Sequence, residues 1–121
     1  MKELTKREDQ IMRIVWRLKK AFIREIIEEF PEPKPHYNTV ATIVKILANK
    51  KGFLVAELMG NTHQYRPSDD FEAYLNNDLA DIKQDYFGNS LPKMFAHFAK
   101  KENLTEAEKE ELIRIIKSNG K

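Results

Sequence analysis

Cysteine is absent from the 121 residues. There is accordingly no disulfide framework, no thiolate metal site and no cysteine nucleophile, and nothing ties the chain to an oxidising compartment. Long apolar runs are missing too: none approaches the ~20 residues of a membrane-spanning helix or a signal-peptide core, and the opening MKELTKREDQ is charged. A soluble cytoplasmic protein without membrane insertion is expected. Serine is too scarce to suggest a nucleophile elbow, and no glycine-rich phosphate loop occurs. The three histidines, His36, His63 and His97, fall on a loop, a hairpin and a helix, with none at the i, i+4 spacing of a helical metal pair. Glu108, Glu110 and Glu111 make a charged helix face rather than a catalytic pair. These absences argue against an enzyme, and no catalytic residue, metal or cofactor is assigned.

A hydrophobic content of 41% suits one domain, or a small domain with an appendage. The net charge of +2 is unevenly spread. Residues 1–67 carry 13 Lys/Arg against 8 Asp/Glu, whereas residues 68–121 carry 8 against 11. A basic first part attracts polyanions and an acidic second part does not, as expected of a binding module joined to an assembly module.

The segment Tyr37 to Lys51, YNTVATIVKILANKK, fits the basic part. At helical spacing Val40, Ile43, Val44 and Leu47 share one side, and Asn38, Thr42, Lys45 and Asn49 lie opposite. Two amides, a hydroxyl and a cation are side chains that bond base edges and phosphates, whereas an ordinary solvated face more often carries Glu/Lys pairs. Asn38 and Thr42 are the first candidates for base contacts, flanked by Tyr37 and Thr39. His36 or Tyr37 can join the helix's first amides at a phosphate, and Lys45, Lys50, Lys51 and Arg66 are further phosphate candidates.

Around this segment the chain reads as helix, helix, helix, hairpin. Thr5 with Glu8 forms a capping-box pattern ahead of Ile11, Val15 and Leu18, in a helix ending near Lys19. Ile23, Ile26, Ile27 and Phe30 mark a shorter helix stopped by Pro31, and PEPKPH forces an extended connection. After Gly52, FLVAEL and HQYRP read as strands joined by a GNT turn. This is the order of a winged helix-turn-helix, in which the third helix enters the major groove. An α+β domain whose hairpin only covers the core has the same pattern, so both stay open. Trp16 is read as a core or subunit-contact residue.

From Ser68 the pattern is helical again, with stripes at Leu75, Leu79, Ile82 and Tyr86, then Leu91, Met94, Phe95 and Phe98, then Leu112, Ile115 and Ile116 after a Thr105–Glu108 cap. Three one-sided helices in 54 residues lack an internal core. Pairing with a second copy supplies one, and so does folding back on the first domain; the dimer is favoured because it also gives a DNA reader two recognition helices. The expected organisation is mainly α with a small β-hairpin: a DNA-binding domain over 1–67 and a helical dimerisation domain over 68–121.

LTKREDQIMRIVW, YNTVATIVKILANKKGF, THQYRP and SLPKMFAHF followed by LTEAEKEELIRII resemble the BlaI/MecI/CopY family of penicillinase repressors over nearly the whole chain. The resemblance implies a homodimeric winged-helix transcriptional repressor on a palindromic operator of double-stranded DNA. It also implies, for members controlled by a membrane sensor-protease, relief by cleavage in the dimerisation domain. The cleaved bond of penicillinase repressors is Asn-Phe; the best match here is His97-Phe98. Without cysteine the metal-thiolate induction of the CopY type is excluded, and Glu57, Leu58 and Met59 stand where many relatives look more basic. A protein-interaction adaptor on the same scaffold is the competing function, because fold does not fix function.

Overall fold

The computed structural model describes residues 3–118. It divides into two compact units, one ending at Asn76 and the other beginning at Asn77.

In the first unit, α1 (Lys6–Leu18) starts at a reciprocal cap. The Glu8 amide donates to Thr5 Oγ1 (3.1 Å) and the Thr5 amide donates to the Glu8 carboxylate (2.8 Å), so two otherwise unpaired donors are satisfied. The helix stops at Lys19, which takes φ 74° and donates its amide to the Trp16 carbonyl. α2 (Ile23–Glu28) is shorter than the periodicity through Phe30 implied. Pro31 disfavours helical geometry at Phe30, and the Lys34 ammonium donates to the carbonyls of Glu28 (3.0 Å) and Phe30 (2.8 Å) that the helix leaves unpaired. α3 (Tyr37–Asn49) follows the proline-rich connection.

β1 (Leu54–Met59) and β2 (Thr62–Pro67) pair antiparallel, from Leu54 with Pro67 to Met59 with Thr62. The two-residue turn has positive φ at Gly60 (65°), the first central position, where glycine suits a type II′ turn. A third strand one residue long was not legible in the sequence: Ala21 exchanges both backbone hydrogen bonds with Tyr65, at 2.9 and 2.8 Å. Together these elements form the three-helix-plus-hairpin arrangement of a winged helix.

The core is built by Ile11, Met12 and Val15 of α1, Ile26 of α2, Val40, Val44 and Leu47 of α3, and Phe53, Leu54 and Tyr65 around the hairpin. α4 (Asp69–Phe87) begins in this unit. Ser68 Oγ donates to the Gly52 carbonyl (2.5 Å) and accepts from the Phe71 amide (3.1 Å), which fastens the start of α4 to the α3–β1 connection. Phe71 is buried against the core, with Tyr74 and Leu75 partly buried beside it. The division therefore falls about two turns beyond the 67/68 boundary read from the sequence. Trp16 is half-exposed and meets the Phe71 ring edge-on at 5.8 Å.

The second unit holds the rest of α4, then α5 (Leu91–Glu102) and α6 (Glu106–Ser118). Gly88 and Asn89, both at positive φ, turn the chain before α5. Ser90 caps α5 by accepting from the Lys93 amide, and a reciprocal Thr105–Glu108 cap opens α6. Phe87, His97 and Phe98 form a ring cluster with centroids 5.2 to 5.9 Å apart. Met94 is the buried hydrophobic residue of this unit's described part, whereas Leu79, Ile82, Tyr86, Leu91, Phe95, Phe98, Ile113, Ile115 and Ile116 are exposed. Among the described residues no helix is long and apolar enough to cross a membrane.

Candidate nucleic-acid interface

α3 divides as its periodicity requires. Val40, Val44 and Leu47 are fully buried, Ile43 is half-buried, and Asn38, Thr39, Thr42, Lys45 and Asn49 are exposed. Burial of the apolar stripe fixes the helix's rotation, so the polar stripe faces outward as a set rather than residue by residue.

Two details refine what that stripe offers. The Thr42 hydroxyl donates to the Asn38 carbonyl at 2.9 Å, one turn earlier. Its proton is thereby committed, and Thr42 presents lone pairs and a methyl group to the outside. The Asn38 amide makes no hydrogen bond among the described residues, so both its donor and its acceptor are available for a paired contact with a base edge.

The start of α3 sits beside two shallow depressions. One, of about 580 Å³, is lined by Arg24, Ile27, Glu28, Lys34, Pro35, His36 and Tyr37. The other, of about 370 Å³, is lined by Phe22, Ile23, Arg24, Glu25, Tyr37 and Thr62. Tyr37 and Arg24 contribute to both. His36 is the N-cap residue but makes no side-chain cap bond, and Tyr37 is 45% exposed. Arg24 escaped the reading of the sequence because α2 looked like a packing helix; its position is set by Ile23 and Ile26, which bury the helix's other side. A third depression of about 190 Å³ joins Lys45, Ala48 and Asn49 of α3 to Ala56, His63 and Tyr65 of the hairpin. Burial, and after it the nearby Tyr37, pushes the Tyr65 phenol above its ordinary range, so it stays neutral there.

The cations grouped from the sequence separate into committed and uncommitted ones. Lys45, Lys50 and Arg24 are exposed and take part in no ion pair among the described residues. Arg66 lies 3.8 Å from Glu57, which offsets its charge. Lys51 departs from the expected phosphate role: its ammonium donates to the buried Glu8 carboxylate at 2.6 Å and to the Glu3 carbonyl at 2.6 Å. Burial alone would raise the Glu8 carboxyl, but hydrogen bonds from Lys51 and the Thr5 backbone outweigh it and hold the group below its ordinary value.

In the second unit the residues grouped as an interface are placed on three helices. Leu79, Ile82 and Tyr86 of α4, Leu91, Phe95 and Phe98 of α5, and Ile115 and Ile116 of α6 are exposed; Leu112 is half-buried and Met94 buried. Leu75 lies on the other side of the division, partly buried against the first unit's core. Two further apolar side chains lie next to those grouped from the sequence: Ile113, exposed beside the α6 stripe, and Phe87, which packs on the His97 and Phe98 rings. The His97-Phe98 bond is inside α5, between its two capped ends.

A profile of the family described as penicillinase repressor matches residues 4–118. No curated protein matches the chain.

Proposed function

Since the chain belongs to the penicillinase repressor family, a family of transcriptional regulators, we propose that it is a homodimeric repressor that binds a palindromic DNA operator through α3. The observation that carries this reading is the outward stripe of Asn38, Thr42, Lys45 and Asn49, backed by buried Val40, Val44 and Leu47, in the net-basic part of the chain. Asn38 and Thr42 contact base edges; Lys45, Lys50 and Arg24 contact phosphates, with Tyr37, Thr39 and His36 at the helix start. Arg66, shared with Glu57, contributes less. Repression follows from occupying DNA that RNA polymerase needs, in the cytoplasm.

Dimerisation runs through the exposed apolar faces of α4, α5 and α6. So many large apolar side chains on so small a unit favour pairing by a symmetric, self-complementary patch, and the two recognition helices then address half-sites about one DNA turn apart. Relief by a membrane sensor-protease acts at His97-Phe98. Because that bond lies within a capped helix, cleavage requires α5 to unwind locally, which ties it to the state of the interface.

The test is footprinting of the DNA upstream of the protein's own gene, at two salt concentrations and with random duplex as competitor. A protected, roughly palindromic site that survives competition is expected. Protection that random duplex abolishes would overturn the reading and leave the scaffold as a protein-interaction adaptor.

A further inference from the structure

We propose that the hairpin tip is an apolar wedge for the DNA minor groove, adding operator affinity without neutralising phosphate; this rests on the DNA-binding reading above. The hairpin carries two formal charges, Glu57 and Arg66, and they lie 3.8 Å apart, so it is electrically neutral within a basic part of the chain. From Leu58 to His63 there is no carboxylate to be repelled by a polyanion and no lysine or arginine to seek one. What the tip presents instead is Leu58, 67% exposed, and Met59, 47% exposed. Neither serves the core, which the hairpin reaches at its other end through Leu54 and Tyr65.

The register places this apolar pair at the edge of the candidate interface on both sides. Leu58 is paired across the strands with His63, which lines the depression shared with Lys45 and Asn49 of α3. Met59 is paired with Thr62, which lines the depression shared with Tyr37 and Arg24. Cross-strand partners share a face and consecutive strand residues alternate, so Leu58 lies on the face of His63, toward the Lys45 and Asn49 end of α3, and Met59 on the opposite face with Thr62, beside the start of α3; the tip borders the α3 surface from both of its faces. A duplex read by α3 in its major groove offers the neighbouring minor groove to such an extension. Its deoxyribose walls suit Leu and Met, side chains that serve as minor-groove wedges, and its floor of acceptors suits the exposed Asn61 amide in the turn.

An electrostatic wing and an apolar one differ in salt dependence. Each phosphate neutralised contributes about −0.9 to the slope of log K against log salt, whereas apolar burial contributes nothing to it. The experiment measures operator affinity of the full chain across a salt series for wild type, Leu58→Ser/Met59→Ser and Lys45→Gln. Both tip positions are solvent-exposed, so the double variant keeps the fold, which circular dichroism and melting verify. Expected is roughly tenfold weaker binding by the tip variant at every salt concentration with an unchanged slope, while Lys45→Gln flattens the slope by about 0.9. Replacing A·T pairs flanking the α3 half-site by G·C should weaken wild type more than the tip variant, and I·C pairs, which restore the A·T-like minor groove, should recover the loss. Unchanged affinity of the folded tip variant, a flattened slope, or indifference to I·C would overturn the wedge while leaving operator binding intact. Failure of wild type to bind any operator would take down the DNA-binding reading itself and the wedge with it.

Discussion

Glu8 illustrates how a single side chain holds two parts of the fold together. It closes the α1 cap through Thr5 and receives the Lys51 ammonium, which arrives from just beyond α3. Glu8 is 6% exposed and the Lys51 side chain is largely covered, so removing the carboxylate charge leaves a poorly solvated cation opposite. Glu8→Gln is expected to lose on the order of 1–3 kcal/mol at neutral pH, seen as a lower urea midpoint. The pH sign follows from the depressed carboxyl. The unfolded chain binds the proton more readily, so this contribution is complete above the unfolded value of about 4.3 and is lost as pH falls through the lower folded value. Wild type and variant should therefore converge in acid, and a gap independent of pH would refute the assignment. The Thr5–Glu8 box was legible because its members are three residues apart. Lys51 was not: 43 residues separate it from Glu8, and nothing local distinguishes a lysine bound for a buried carboxylate from one bound for a phosphate.

Elements were more legible than their partners. Every helix with a cap and an apolar period was recoverable, because both signals are local; the hairpin was recoverable from strand composition around Gly60. The Ala21 bridge was not, since one residue of strand has no pattern, and the packing of Phe71 and Tyr74 on the first core was not, since periodicity reveals an apolar face without naming what covers it. For α3 the two faces were both readable, and the structure adds chemistry to the outer one. With its hydroxyl proton given to the Asn38 carbonyl, Thr42 contributes as an acceptor and a methyl, and Asn38 as the two-way amide. Asn38→Ala is expected to cost about 1–3 kcal/mol of discrimination at one base pair, and Thr42→Ala to weaken binding at an adjacent one, with melting temperatures close to wild type because both side chains are exposed. The measurement is affinity for an operator set carrying each single substitution. Equal discrimination by the folded Asn38→Ala/Thr42→Ala variant would remove these residues from the reading.

On the scale of the whole molecule the two parts divide labour by composition. The first unit is internally satisfied, with a core contributed by all three helices and the hairpin, and its surplus is cationic. The second is helical and well capped but exposes Phe95, Phe98, Ile113, Ile115 and Ile116, and caps fix where helices start without supplying anything to bury. In the dimer proposed above this unit is stabilised by association, so its stability should depend on protein concentration by mass action. Phe95→Glu with Ile116→Glu places two charges in the proposed interface at positions exposed in the single chain. Sedimentation at micromolar concentration is expected to report a dimer for wild type and a monomer for the variant, and the wild-type melting temperature alone should rise with concentration. Operator affinity of the variant should fall steeply although α3 is untouched, because one half-site then binds without the second, while affinity for an isolated half-site should match wild type. A variant that sediments as a dimer would show that these faces are covered in some other way, and equal loss on the half-site would mean that the charges had damaged the reading unit rather than the pairing.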